Sequence, residues 1–171
     1  GNCVWNDHHY HWGYWIFAAA VVARFDIGWA TANKERLLLL VRDTCNPTKN
    51  DPFFPQARHK DWFTFASYAH GVTCDGIKIL DQESTSESAN CYYATMLLGT
   101  ALGNEQLRQT GRILFATETV MAQTYYQLLN ETRCIFNPFP QLADQHIMGI
   151  YSEGTAEATL FWASNPNSPA C

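Results

Sequence analysis

The sequence predicts an all-α fold built from helices in pairs. Rings and small apolar residues recur at helical spacing from His8 to about Phe25. The segment from about Trp29 to Arg42 is rich in Ala, Leu, Lys and Glu, all good helix formers. Further along, Gly103 closes one helical pattern as a C′ residue and Asn104 at once opens the next.

In chain order, Asp7 stands where an N-cap would open the first helix, over His8 to about Phe25. The second helix covers about Trp29 to Arg42. From Asn46 to Cys74 the chain carries Pro47, Pro52 and Pro55 among several Asp and Asn residues, which reads as a long ordered loop. A loop of that length inside a compact domain is usually functional. Ser84 to Leu102 is a third helix, and Asn104 caps a fourth running to about Asn130. Prolines and glycines return from Asn137, with a strand-like or short helical piece near Ile147 to Tyr151. No internal repeat or low-complexity segment interrupts this pattern.

Composition excludes some functions. At 171 residues, 47% hydrophobic and 16% charged, the chain can bury one globular core. The net charge of −5 is spread without runs, and without Lys/Arg clusters there is no electrostatic footprint for nucleic acid. No apolar stretch reaches the roughly 18 to 20 residues of a membrane span. The longest, Ile16 to Ala23 and Leu37 to Val41, have the length of buried helix faces.

The cysteines are Cys3, Cys45, Cys74, Cys91, Cys134 and Cys171, an even number without a C-x-x-C pair. That disfavours a zinc site. In a secreted protein they allow about 15 pairings among which sequence cannot choose, and several could equally be small buried hydrophobes. Asn130-Glu131-Thr132 is the acceptable glycosylation sequon, since Pro47 spoils Asn46-Pro47-Thr48.

Two acidic motifs carry the chemistry, Asn6-Asp7-His8-His9-Tyr10-His11-Trp12-Gly13-Tyr14 and Gln82-Glu83-Ser84-Thr85-Ser86-Glu87. Each sets carboxylates among polar and aromatic residues where a helix begins. Burying a charge without compensation is costly, so such carboxylates need a partner or a task. Two such sites fit paired acid and base chemistry on a polar substrate, of which glycoside hydrolysis is the standard case. An aromatic content of 14% supplies the flat rings a sugar cleft uses. Each group also has a plainer reading. Asp7 alone before a helix would be a cap. Glu83 and Glu87, four apart on one predicted helix face, could be solvated glutamates at a helix N-terminus, where negative charge is favoured.

Three blocks, NDHHYHWGYWIFAAAVVARFD, RDTCNPTKNDPFFPQARHKDWF and DQESTSESANCYYATMLLGTALG, together resemble the catalytic core of glycoside hydrolase family 81. The resemblance runs from about Val4 to Asn165, with the blocks in the family's order. It implies part of an (α/α)6 barrel and inverting endo-β-1,3-glucanase chemistry. Asp7 then resembles the general acid, which must keep its proton near neutral pH, with Trp5, Trp12 and Trp15 as apolar surroundings. Glu83 resembles the general base, and Glu87 a second required carboxylate that positions water or substrate. His11 and Tyr14 are expected to bond sugar hydroxyls, and Asp61, Trp62 and Tyr68 to complete the substrate contacts. Arg58 is expected to pair with Asp51 or Asp61 and hold the loop. The pattern departs from the family at Ala66-Ser67-Tyr68-Ala69-His70-Gly71 and from Val72 to Leu80, which leaves the sugar subsite at Tyr68 open.

Clustered His8, His9 and His11 invite a metal, yet no zincin spacing accompanies them, so no metal and no cofactor is expected; His9 reads as a core histidine. The expected partner is β-1,3-glucan, reached by secretion to the extracellular space or cell wall, with no nucleic acid and no membrane span. Family members are several times longer, with a β-sandwich domain ahead of the barrel. Residues 1–171 are therefore expected to be one portion of a single catalytic domain, needing the remainder of the barrel as another segment or chain. Two other classes stay open: a β-glucan-binding protein that cleaves weakly or not at all, and a structural subunit of a larger assembly.

Overall fold

The computed structural model describes residues 7–69, 81–127, 150–152 and 156–157. The helices are α1 (His8–Phe25), α2 (Ile27–Ala32), α3 (Lys34–Cys45), α4 (Thr85–Ala101) and α5 (Glu105–Met121), with a π-helical turn at Ala122–Tyr126. Three short strands, β1 (Asp81–Gln82), β2 (Ile150–Ser152) and β3 (Ala156–Glu157), pair antiparallel in that order. The all-α expectation holds, with this small sheet added and the strand-like reading near Tyr151 realised as β2.

The central contact is α1 against α4. Tyr10 touches Glu83 and Ser84, Tyr14 touches Glu87, and Gly13 abuts Cys91. Positions rise together along both helices, so they run parallel and their N-termini lie at one end. Small residues on α1 (Gly13, Ala19, Ala20, Ala23) allow the close approach, and Ile16 fills the seam with Tyr92 and Leu98 of α4. Helix α5 returns antiparallel on the other side of α4, where Gly111 faces Tyr92 and Met96 and Gly99 faces Leu107 and Arg108. A Cβ at Gly111 would stand 2.4 Å from the Met96 backbone nitrogen, so only glycine admits this packing.

The helix expected over Trp29 to Arg42 is two helices. Asp26 caps α2 by accepting the Trp29 N–H at 2.8 Å, so the helix starts at Ile27, two residues earlier than the composition indicates. Asn33 then ends it, its side-chain amide donating to the Trp29 carbonyl at 2.9 Å, and α3 continues to Cys45. The fourth predicted helix keeps α geometry only to Met121. Its wider final turn carries the Tyr126 hydroxyl onto the Gln82 carbonyl. Gly103 does adopt the left-handed φ of 64° expected of a C′ residue.

Residues 46–69 form the irregular segment the prolines predict, with an isolated antiparallel bridge between Lys60 and Ser67. Arg58 pairs with neither Asp51 nor Asp61. It donates to Asp43 of α3, Nε lying 3.0 Å from Oδ1, while Asp51 is taken by Arg42 through two bonds of 2.6 and 2.9 Å. Arg42, on the last turn of α3, engages Asp51 through both of its carboxylate oxygens and leaves Arg58 to Asp43.

Much of α1 is apolar on all sides. One face is buried, while Trp15 and Phe25 are 64% and 87% exposed. Cys45 and Cys91 are buried free thiols with sulfurs 3.8 Å apart, as the small-hydrophobe reading has it. Cys3, Cys74, Cys134, Cys171, Trp5, the Asn130 sequon and the divergent Val72 to Leu80 stretch lie outside the described residues.

Candidate active site

The parallel pairing of α1 and α4 sets the two acidic motifs side by side. Asp7 occupies the N-cap position of α1, but with φ 39° and ψ 21° its backbone is left-handed and its side chain makes no cap hydrogen bond. An ordinary cap residue is extended and aims its carboxylate at the helix N–H groups. Here Oδ2 instead receives His11 Nε2 at 3.2 Å, and the Asp7 N–H is fixed on the Ala69 carbonyl at 2.5 Å. Asp tolerates this conformation better than most residues. The capping alternative for Asp7 is thereby set aside.

Glu83 is not on the helix. Ser84 caps α4 by accepting the Glu87 N–H at 3.3 Å, which leaves Glu83 on the extended approach between β1 and α4. The expected helical pairing of Glu83 with Glu87 on one face therefore gives way to an extended residue ahead of the helix. The physical reason is that Ser is the better cap and takes that position. Glu83 is held through its backbone: its N–H and that of Ser84 donate to the Tyr10 hydroxyl, which points toward the Ser67 carbonyl at 3.4 Å. Burial raises the Tyr10 phenol well above its ordinary value, so it remains a neutral hydroxyl. Glu87, in the first turn of α4, accepts from the Tyr14 hydroxyl at 2.8 Å, and that bond raises the Tyr14 phenol as well.

Asp7, His11, Tyr14, Glu83 and Glu87 are thus gathered at the shared N-terminal end of α1 and α4. His11 and Tyr14 contact the carboxylates of that cluster, and both are exposed. The remaining candidates are placed differently. Asp61 closes a tight turn, taking the Thr64 hydroxyl at 2.6 Å and the Phe63 N–H at 2.9 Å, and it receives the hydroxyl of buried Tyr68 at 3.1 Å. Trp62 is half exposed and lines a cavity of about 340 Å³ with Gln106, Gln109 and Ile113 of α5. None of the carboxylates of the cluster lines that cavity. Of the aromatic surroundings expected for Asp7, Trp12 packs on His8 and donates to Asp43 at 2.9 Å, while Trp15 faces outward.

The histidine motif is divided among three tasks. His8 bonds Asp43 at 2.5 Å, His11 bonds Asp7, and His9 is fully buried, stacked on His59 with ring centres 4.0 Å apart. Desolvation holds His9 down to about 3, so it is neutral in the folded protein. Among the described residues no group of His, Cys, Asp and Glu is arranged to hold a metal ion, and no helix is long and apolar enough to cross a membrane.

Sequence reasoning missed Glu118 and Lys60, the buried pair behind the site, joined at 2.8 Å. The signal available was a glutamate on the buried face of α5, four residues beyond Leu114.

A helical domain with two carboxylate motifs side by side at one end of two parallel helices fits the class of carboxylate-bearing helical-barrel domains. The chain is a member of glycoside hydrolase family 81: the family described as "Glycosyl hydrolase family 81 C-terminal domain" matches residues 1–170. It is 32% identical over 167 residues to a glucan endo-1,3-beta-D-glucosidase of Arthroderma benhamiae, covering 96% of this chain and 18% of that protein. It is 38% identical over 122 residues to the primary septum glucan endo-1,3-beta-D-glucosidase of Schizosaccharomyces pombe, covering 69% and 12%. The solved glycoside hydrolase family 81 structure from Clostridium thermocellum superposes with a TM-score of 0.80 at 28% identity, over 94% of this chain and 22% of that one. The chain therefore spans less than a quarter of the length of these relatives.

Proposed function

We propose that the protein carrying this chain hydrolyses internal β-1,3-glucosidic bonds of β-glucan with inversion at the anomeric carbon. The observation that carries this reading is the placement of Asp7, freed from helix capping, at the same helix ends as Glu83 and Glu87. Family membership and the glucanase names of the relatives support it.

In this mechanism Asp7 protonates the departing glycosidic oxygen, with His11 bonded to its Oδ2 and steadying the carboxyl group. Glu83 takes a proton from a water that attacks the opposite face of the ring. A single displacement through an oxocarbenium-like transition state inverts the centre, and the acid and base of such enzymes stand roughly 6.5 to 9.5 Å apart to admit that water. Glu87, steadied by Tyr14, positions the water or a sugar hydroxyl. The exposed Trp62 ring offers a stacking surface for glucan, and Asp61 with Tyr68 keeps its loop in shape. The exposed apolar side of α1, Trp15 and Phe25 included, supports assignment of these residues to one portion of an (α/α)6 barrel whose other helices would cover it. A polysaccharide of this kind places the site of action outside the cell or at its wall.

Proton NMR of the first products from soluble β-1,3-glucan tests the reading. Initial α-anomers are expected. Initial β-anomers would overturn inversion, and binding without cleavage would favour a glucan-binding protein.

A further inference from the structure

Glu118 is fully buried on α5 and takes no part in the chemistry proposed above. Its surroundings are nonetheless those of the site. One carboxylate oxygen receives the Gln82 side-chain amide and the Ser88 hydroxyl. The other receives the Lys60 ammonium at 2.8 Å and the Ser67 hydroxyl at 2.7 Å. These donors come from two stretches of chain, 60–67 and 82–88, and both lead to candidate catalytic groups. Gln82 immediately precedes Glu83, and Ser88 immediately follows Glu87. Ser67 lies two residues before Ala69, whose carbonyl fixes the Asp7 N–H, and its own N–H is bonded to the Gln82 side chain at 2.7 Å.

We propose that the buried Glu118–Lys60 pair is the positioning element of this active site, fixing the separation between Asp7 and Glu83 by holding both of their segments on one carboxylate. The proposal rests on the glucanase reading for what that separation is used for. Several features require an ionised acceptor here. Donors meet both oxygens, so a neutral amide in that place would set its own N–H groups against some of them. A buried carboxylate needs a compensating charge, and Lys60 supplies it with a side chain only 1% exposed. Burial pulls the lysine below its ordinary value, and the Glu118 carboxylate beside it opposes that pull. An acceptor for four donors from two stretches of chain is also a poor choice for stability alone, since apolar packing of similar volume often serves as well or better. Its specific effect is registry. An error of about 1 Å in the placement of a catalytic group can cost on the order of 100-fold in rate.

The test uses the protein that carries this chain, with the variants Glu118→Gln and Ser88→Ala. Turnover on soluble β-1,3-glucan is measured per folded molecule, well below each melting temperature, together with KM and the crystal structures. For Glu118→Gln the expected result is a loss of about 10- to 100-fold in kcat with KM within about twofold. For Ser88→Ala, which removes a single donor and is the milder change, a loss of a few-fold is expected. A purely structural Glu118 would lower the melting temperature and the folded yield while leaving kcat per folded molecule unchanged, and that result overturns the proposal. Should Glu118→Gln fail to fold, Ser88→Ala decides by the same measure. If the unsubstituted protein does not cleave glucan, the glucanase reading falls by itself. The crystal structures then decide the positioning role: an Asp7–Glu83 separation unchanged in the variants sinks it, and a displaced Glu83 carboxylate upholds it.

Discussion

The Tyr10 hydroxyl receives the backbone N–H of Glu83 at 3.0 Å and that of Ser84 at 3.2 Å, so a side chain of α1 holds the start of α4. Tyr10 is itself one helical turn from Asp7, whose carbonyl accepts its N–H at 2.9 Å. One residue therefore links the backbone at Asp7 to the backbone at Glu83. Tyr10→Phe keeps the ring and removes the acceptor. It should cost about 1 to 3 kcal/mol, because the N–H groups lose their partner in a largely buried setting. Turnover should fall with little change in KM. Urea unfolding and steady-state kinetics check this, and unchanged stability would show that water replaces the hydroxyl.

Asp7→Asn and Glu83→Gln preserve size and hydrogen-bonding shape while removing proton chemistry. Each should lower kcat by about 10²- to 10⁴-fold with an unaltered melting temperature. Azide should restore activity to Glu83→Ala by attacking as an external nucleophile in place of the water and yield the α-glycosyl azide. Rescue of Glu87→Ala in its place would exchange the roles of the two glutamates.

Stability should fall on acidification from neutral pH because of two buried histidines. His9 is held at about 3 and His59 well below its ordinary value, in both cases chiefly by desolvation. Unfolded histidine takes a proton near pH 6.5. The folded state excludes that proton, so the stabilisation is complete above about pH 6.5 and is lost progressively as pH falls toward 3. Each histidine contributes up to about 1.4 kcal/mol per pH unit in that window. Melting temperatures between pH 7 and pH 5 read the effect apart from the carboxylates, and a flat profile there would mean that the stacked pair opens to solvent.

Gly111→Ala and Gly103→Ala should differ in kind. A Cβ at Gly111 meets the α4 backbone at 2.4 and 2.8 Å and cannot be relieved by rotating a side chain, so the helices must separate. A cost of about 1 to 3 kcal/mol is expected, as in other overpacked sites. Gly103 faces open space, and its substitution meets only the strain of a left-handed φ, about 1 kcal/mol. Thermal unfolding of the two variants measures the contrast. Equal losses would indicate that α4 and α5 slide apart freely.

Helix existence and the two acidic motifs were legible in the sequence because both are local. Apolar spacing marks α1, α4 and α5, and the Gly103-Asn104 punctuation marks the α4–α5 turn, since propensity, capping and left-handed glycine act over a few residues. The ordered blocks also resolved the family. Local cues misled where neighbours in sequence compete for one position. Ser84 took the cap and left Glu83 outside α4, and Asn33 divided one predicted helix into α2 and α3.

What the tertiary structure alone decided is which distant groups meet. Arg58 belongs to Asp43 and Asp51 to Arg42, although the sequence offered Asp51 and Asp61 to Arg58 equally. The parallel seating of α1 on α4, with Tyr10 on Glu83 and Tyr14 on Glu87, and the convergence of Lys60, Ser67, Gln82 and Ser88 on Glu118 involve residues 30 to 73 positions apart for Ser88 and Tyr14. Such meetings depend on how helix faces pack, and a fitting partner in space leaves no periodic trace along the chain.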